Sequence, residues 1–113
     1  MAVVPKQLVP STLLLSAPSS VYTAANCRTL CDKVTLHNSD ATNRNVYVAI
    51  VAVGGTPSTS LLVSRTIAPN ETYLCPEVVG HDLNPGGALY AWTDVGEGVH
   101  VYITVSGREV TGI

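Results

Sequence analysis

The stretch Val99-His100-Val101-Tyr102-Ile103-Thr104-Val105 decides the fold. Val99, Val101, Ile103 and Val105 alternate with His100, Tyr102 and Thr104. A period of two puts the first set on one face of a β-strand and the second on the other. Working outward, the chain repeats this kind of segment. Arg28 to His37 places Leu30, Val34 and Leu36 opposite Thr29, Lys33, Thr35 and His37, with Asp32 out of place on the apolar face. Val46 to Val53 is almost wholly apolar and reads as a central strand covered on both faces. Ser60 to Ile67 alternates loosely, and Ala88 to Val95 sets Leu89 and Ala91 opposite Tyr90 and Trp92. Val21 to Thr23 is a short strand, and Thr72 to Val79 an extended stretch limited by Pro76.

The segments are divided by turn chemistry: Asn38 to Asn43, Gly54-Gly55-Thr56-Pro57, Ala68-Pro69-Asn70-Glu71, the loop Gly80 to Gly87, and Gly96-Glu97-Gly98. About eight short strands with turns at such spacing predict an all-β fold, an antiparallel β-sandwich of jelly-roll-like form. The N-terminal stretch differs. Pro5, Pro10 and Pro18 exclude a central strand. Residues 1–18 therefore read as an extended arm, lying on a neighbouring subunit or along the edge of its own domain, and residues 19–113 as a single sandwich domain. Gly107 permits a bulge or bend, after which the chain trails off.

Composition narrows the function. The chain has 113 residues, enough for one core, with 46% hydrophobic but only 12% charged residues. A net charge of −2 and a pI near 5.8 disfavour direct nucleic-acid binding through a basic stripe. With so few charges and a mean hydropathy of +0.29, much of the surface is uncharged, as suits a chain that lives in an assembly. No apolar run reaches membrane-spanning length, and the proline-broken N-terminus does not read as a signal peptide. Cys27, Cys31 and Cys75 are too few and of the wrong parity for a disulfide framework. They read as reduced apolar fillers, consistent with assembly in a cytoplasm.

No catalytic motif emerges. His37, His81 and His100 have no recognised metal-ligand spacing, although convergence in the fold would make a small jelly-roll metalloenzyme. The carboxylates fall mostly in turns, and the paired glycines precede strands rather than helices, so no phosphate cradle is expected. No cofactor is expected either. The candidate functional residues are instead those of an interface: Val4, Pro5 and Leu8 in the arm, and Tyr90, Trp92 and Tyr102 on the outer faces of what read as adjacent strands. A host-glycan site built from exposed aromatics such as Trp92 and the loop Gly80 to Gly87 is the competing reading.

An ordered series of phrases then stands out. Leu8-Val9-Pro10-Ser11-Thr12-Leu13-Leu14 is followed by Val21-Tyr22-Thr23-Ala24 and by Cys27-Arg28-Thr29-Leu30-Cys31-Asp32-Lys33-Val34-Thr35-Leu36-His37-Asn38. Val53-Gly54-Gly55, Ile67-Ala68-Pro69-Asn70-Glu71-Thr72-Tyr73 and Glu77-Val78-Val79-Gly80-His81-Asp82-Leu83 come next, with Pro85-Gly86 after them. The series ends on Val105-Ser106-Gly107-Arg108-Glu109-Val110. Over nearly the whole chain it resembles small structural proteins encoded by tailed bacteriophages and prophages. The resemblance implies a non-enzymatic virion component assembled in the host cytoplasm. It would be a capsid decoration (cement) protein bridging subunits of the head, or else a tail- or fibre-attachment part. Its expected partners are copies of itself, as dimers or trimers, and the major capsid or tail proteins.

Overall fold

The computed structural model describes residues 2–94 and 101–111. Among them are nine strands: β1 (Ala2–Leu13), β2 (Ser19–Thr23), β3 (Arg28–Asn38), β4 (Arg44–Val51), β5 (Leu61–Ile67), β6 (Thr72–Tyr73), β7 (Asp82–Leu83), β8 (Ala88–Thr93) and β9 (Val101–Thr111). The only helical turn among the described residues is a 3-10 turn at Pro57–Thr59, where Pro57 sets the first φ.

The strands form two antiparallel sheets. The first has the order β1-β9-β3-β6, with β7 also on β3; the second has the order β2-β8-β4-β5. The pairing is nested. β4 pairs β5, β3 pairs β6 and β7, β2 pairs β8, and β1 pairs β9. A long hairpin pairs in this way, and rolling it up adds the contacts β9 to β3 and β8 to β4. The result is a jelly roll, with β6 and β7 together filling one strand's place.

The core lies between the sheets. Val34, Leu36, Val101, Ile103 and Val105 face Val46, Val48, Val63, Ile67 and Leu89, all at most 1% exposed. Burying each such side chain contributes roughly 1.5–3 kcal/mol. The alternation read in Val101 to Val105 is therefore the inner face of β9. Val99 and His100 lie outside the described residues.

Two bulges correct the expected faces. In β3, Cys31 pairs Gly107 and Lys33 pairs Ser106, so Asp32 is the extra residue. The insertion shifts the phase by one. Thr29 and Cys31 point inward before it, Val34 and Leu36 after it, and Leu30 points out. In β1, Gln7 pairs Ser106 and Val9 pairs Val105, which turns Leu8 into the core alongside Val9.

The expected arm is part of the sandwich. Ala2–Leu13 lies in register along β9 as the edge strand of the first sheet, the position in which Pro5 and Pro10 cost no ladder bond with a further strand. The sandwich thus begins at Ala2, not at residue 19. Val3 and Val4 point to opposite sides of β1, yet are 49% and 48% exposed. The second sheet therefore does not cover this end of the ribbon.

The stretch expected to be extended from Thr72 to Val79 stops at Tyr73, because Cys75 adopts φ 51° and the chain turns through residues 76–80. The loop Gly80 to Gly87 contains β7, and β9 continues to Thr111.

Candidate functional site

Residues directly opposite one another in an antiparallel pair share a face, so the registers assign every outward side chain. On the outer face of the second sheet, Thr23, Ala88 and Val51 form one row. Ser20, Tyr90, Ala49 and Leu61 form the next, then Trp92, Tyr47 and Ser64, and finally Asn45 with Thr66. None of these side chains is charged. Tyr47 and Trp92 stack with ring centroids 5.5 Å apart and planes inclined by 23°. Ala49, Val51 and Ala88 belong to these rows by register yet are only 0%, 6% and 8% exposed. The face thus has an aromatic ridge at one end and a small-residue floor at the other.

Beside the floor, a cleft of about 370 Å³ opens between the end of β4 and the segment around β7. Ile50, Val51, Ala52, Val53, Asp82, Leu83, Asn84, Pro85 and Gly87 line it. Val53 is 75% exposed at its margin.

The outer face of the first sheet is built differently. Arg108 makes a two-point contact with Asp32, at 2.8 and 2.9 Å, fixed by the bulge that turns Asp32 outward. Arg28 Nε lies 3.5 Å from Asp82, and its Nη2 donates to Asn84 at 3.4 Å. Lys33, Thr35 and His37 continue this face, and His37 bonds Thr72 Oγ1 at 2.8 Å. The charges of the sheet surfaces are therefore confined to one side of the sandwich.

Two networks clasp the sheets together at their margins. Tyr22 on β2 donates to Glu109 on β9 and bonds Thr29 on β3 at 2.8 Å. Lys6 on β1 donates to the other Glu109 oxygen at 3.2 Å. The Tyr22 hydroxyl, followed by Lys6, holds the Glu109 carboxyl below the usual carboxylate range. Burial, then Glu109, holds Tyr22 protonated beyond its ordinary range. At the opposite margin, Arg65 on β5 donates to the Tyr73 hydroxyl at 3.0 Å and lies over its ring, while Tyr73 donates to Glu77. Inward-turned Arg65 also makes β5 a poor template for a further strand.

The expected interface residues do not come together. Tyr90 and Trp92 lie on the second sheet and Tyr102 on the first, facing away from them beside His37. Consecutive β8 and β9 are in opposite layers, which is the consequence of rolling the hairpin. Leu8 is 8% exposed and belongs to the core, whereas Val4 and Pro5 remain exposed on the ribbon. The proposed glycan pairing of Trp92 with the loop Gly80 to Gly87 also separates, since Trp92 is four residues along β8 from Ala88, about 13 Å.

The metal reading fares no better geometrically. The His81 carbonyl accepts from Cys31 at 3.1 Å, while His37 lies six residues further along β3, roughly 20 Å away. His100 lies outside the described residues. Among the described residues no group of three or more histidine, cysteine, aspartate or glutamate side chains could hold a metal ion. Cys27, Cys31 and Cys75 are buried free thiols. Burial pushes Cys31 up to about 11 and Cys75 up to about 12. No described helix is long and apolar enough to cross a membrane.

What sequence reasoning missed is the segregation itself. It needed the strand order, because Tyr47 and Trp92 are adjacent only through the β4–β8 pairing. Compared with known protein families, curated proteins and solved structures, the chain matches none.

Proposed function

We propose that the chain is a non-enzymatic structural protein of a tailed-phage particle, a capsid decoration protein that stabilises the head by bridging subunits. One observation carries this reading: the outer face of the second sheet holds no charge, while the opposite face holds paired ions. On the uncharged face Tyr47, Tyr90, Trp92 and Leu61 lie among Ser20, Thr23, Asn45, Ser64 and Thr66. A face of these residues gains when another chain covers it. The ordered phrases that resemble phage structural proteins supply the kind of assembly.

A bridging protein needs two contact regions. The uncharged face is one. The ribbon end carrying Val3, Val4 and Pro5 is the other, since its apolar side chains are exposed beyond the cover of the second sheet. The roll between them is clasped at both margins by the Tyr22 and Arg65 networks.

The test is made on particles purified from cells that carry the gene. Quantitative mass spectrometry is expected to find the chain in fixed ratio to the major capsid protein. Heads lacking it are expected to release DNA at lower temperature. Absence from purified heads, with head stability unchanged on deletion, contradicts the decoration role. Recovery with tails alone supports the tail- or fibre-attachment alternative.

A further inference from the structure

We infer that Pro5 is a stop on the free edge of β1, which keeps two copies of this chain from joining their first sheets edge to edge. Among the described residues no strand pairs the other side of β1, so its outward main-chain groups are open. The hydrogen bonds identify these groups. The Leu14 amide donates to the Val101 carbonyl at 2.8 Å, so Val101 turns its main-chain groups toward β1. From there to Thr111, β9 runs without an inserted residue. The alternation of an antiparallel ladder turns Gly107, Glu109 and Thr111 the same way. The Cys31 amide fixes the same phase independently: it donates to His81 at 3.1 Å, away from β9, so its partner Gly107 faces β1. Ala2, Val4 and Lys6, opposite Thr111, Glu109 and Gly107, therefore bond β9. Val3, Pro5 and Gln7 face the open edge.

But for Pro5, this edge fits its own copy. A two-fold axis through position 5 makes the two β1 strands antiparallel, with Val3 opposite Gln7 and Val4 opposite Lys6 of the second copy. Lys6 then meets no like charge directly, and Glu109 of its own chain already holds it at 3.2 Å. Val3 and Gln7 would exchange main-chain bonds in both directions. Position 5 lies on the axis, where proline has no N–H to give and sets its ring against the facing carbonyl. Each copy brings the same ring, so both central bonds are lost together and the strands are held apart. A strand of any other chain laid along Val3 to Gln7 meets that ring too. Beyond Gln7, two register shifts and Pro10 break the edge. The ribbon end is thereby kept for contacts made by side chains, whatever assembly the chain joins.

The experiment compares the wild-type chain with Pro5→Thr by sedimentation from micromolar to sub-millimolar concentration. The mass of Pro5→Thr is expected to rise toward twice the wild-type value at the same concentration. Amide hydrogen exchange read by NMR locates the contact. In the wild type, Val3 and Gln7 are expected to exchange freely, while Val4 and Lys6 are protected by β9. In Pro5→Thr, Val3, Gln7 and position 5 are expected to gain protection as the mass rises. Adding Gln7→Pro to Pro5→Thr moves the stop to the next outward position and is expected to return the mass to the wild-type value. Circular dichroism verifies each fold; if that double variant fails it, Val3→Pro in the Pro5→Thr background takes its place. A Pro5→Thr chain with the wild-type mass at every concentration overturns the proposal. So does a rise in mass that leaves Val3 and Gln7 unprotected, or one that the relocated proline does not reduce. Wild-type Val3 and Gln7 amides as protected as those of Val4 and Lys6 overturn it as well, because the edge is then not open.

Discussion

Gly107 of β9 lies so close to Leu30 of β3 that a β-carbon added at Gly107 would stand 2.0 Å from the Leu30 carbonyl oxygen. The obstacle is backbone, held by the bulge at Asp32, and cannot rotate away. Leu8 closes the other side, 2.8 Å from the same point. Gly107→Ala is therefore expected to cost about 3 kcal/mol, the upper end for overpacking, and to lower the melting temperature by more than 10 °C. Gly80→Ala, at φ +91° but in open space, is the comparison. It is expected to cost only about 1–2 kcal/mol of backbone strain. Thermal melts of the two variants check the order.

Asn38 is fully buried and ties the turn after β3 to the end of β5. Its Nδ2 donates to the carbonyls of Thr42 and Ile67, each at 2.9 Å, and its Oδ1 accepts from the Asp40 amide at 2.9 Å. Asn38→Leu removes all three bonds, including the buried one to the Ile67 carbonyl. It is expected to destabilise by about 2–4 kcal/mol, read as a lower denaturant midpoint with an unchanged slope.

The Tyr22–Glu109 clasp sets a pH dependence at both extremes. Glu109 is depressed in the fold, so its contribution is present above the ordinary carboxylate pKa and is lost as pH falls through the folded value. Tyr22 is raised, so its contribution is present below the ordinary tyrosine pKa of 10 and declines as pH rises beyond it. Tyr22→Phe is expected to cost about 1–2 kcal/mol near neutrality, discounted for the partial exposure of the pair. It is also expected to flatten both limbs of the stability profile. Denaturant titrations from acid to alkaline pH measure this.

The thiols give a chemical reading of the same core. Cys31 and Cys75, pushed up to about 11 and about 12 by burial, remain protonated at neutral pH, and Cys27 is buried with them. Alkylation of the native chain at mild pH is expected to label none of the three. Unfolding in guanidinium is expected to expose all of them.

How much of this was legible in the sequence follows from where the information resides. Val101, Ile103 and Val105 alternate by themselves, so the inner face of β9 could be read locally. The bulges at Leu8 and Asp32 could not. Each exists relative to a partner strand, and the glycine that accommodates the second lies some seventy-five positions further along. The break at Cys75 was hidden because a cysteine carries no signal for positive φ, unlike Asn26 and Asn70, which take it readily. Most consequential was the layer assignment. Tyr90, Trp92 and Tyr102 look like neighbours in an ordinary hairpin, but a rolled hairpin sends β8 and β9 to opposite sheets. The uncharged surface was anticipated from composition; its confinement to one sheet was not.

Trp92 is the sole tryptophan of the chain and stands on the face proposed to be covered. Its solvent accessibility therefore reports directly on whether another chain lies there. Oxidative labelling of Trp92, read by mass spectrometry of its peptide, is expected to be lower in purified heads than in the isolated chain. Equal labelling of Trp92 in heads and in the isolated chain contradicts the account.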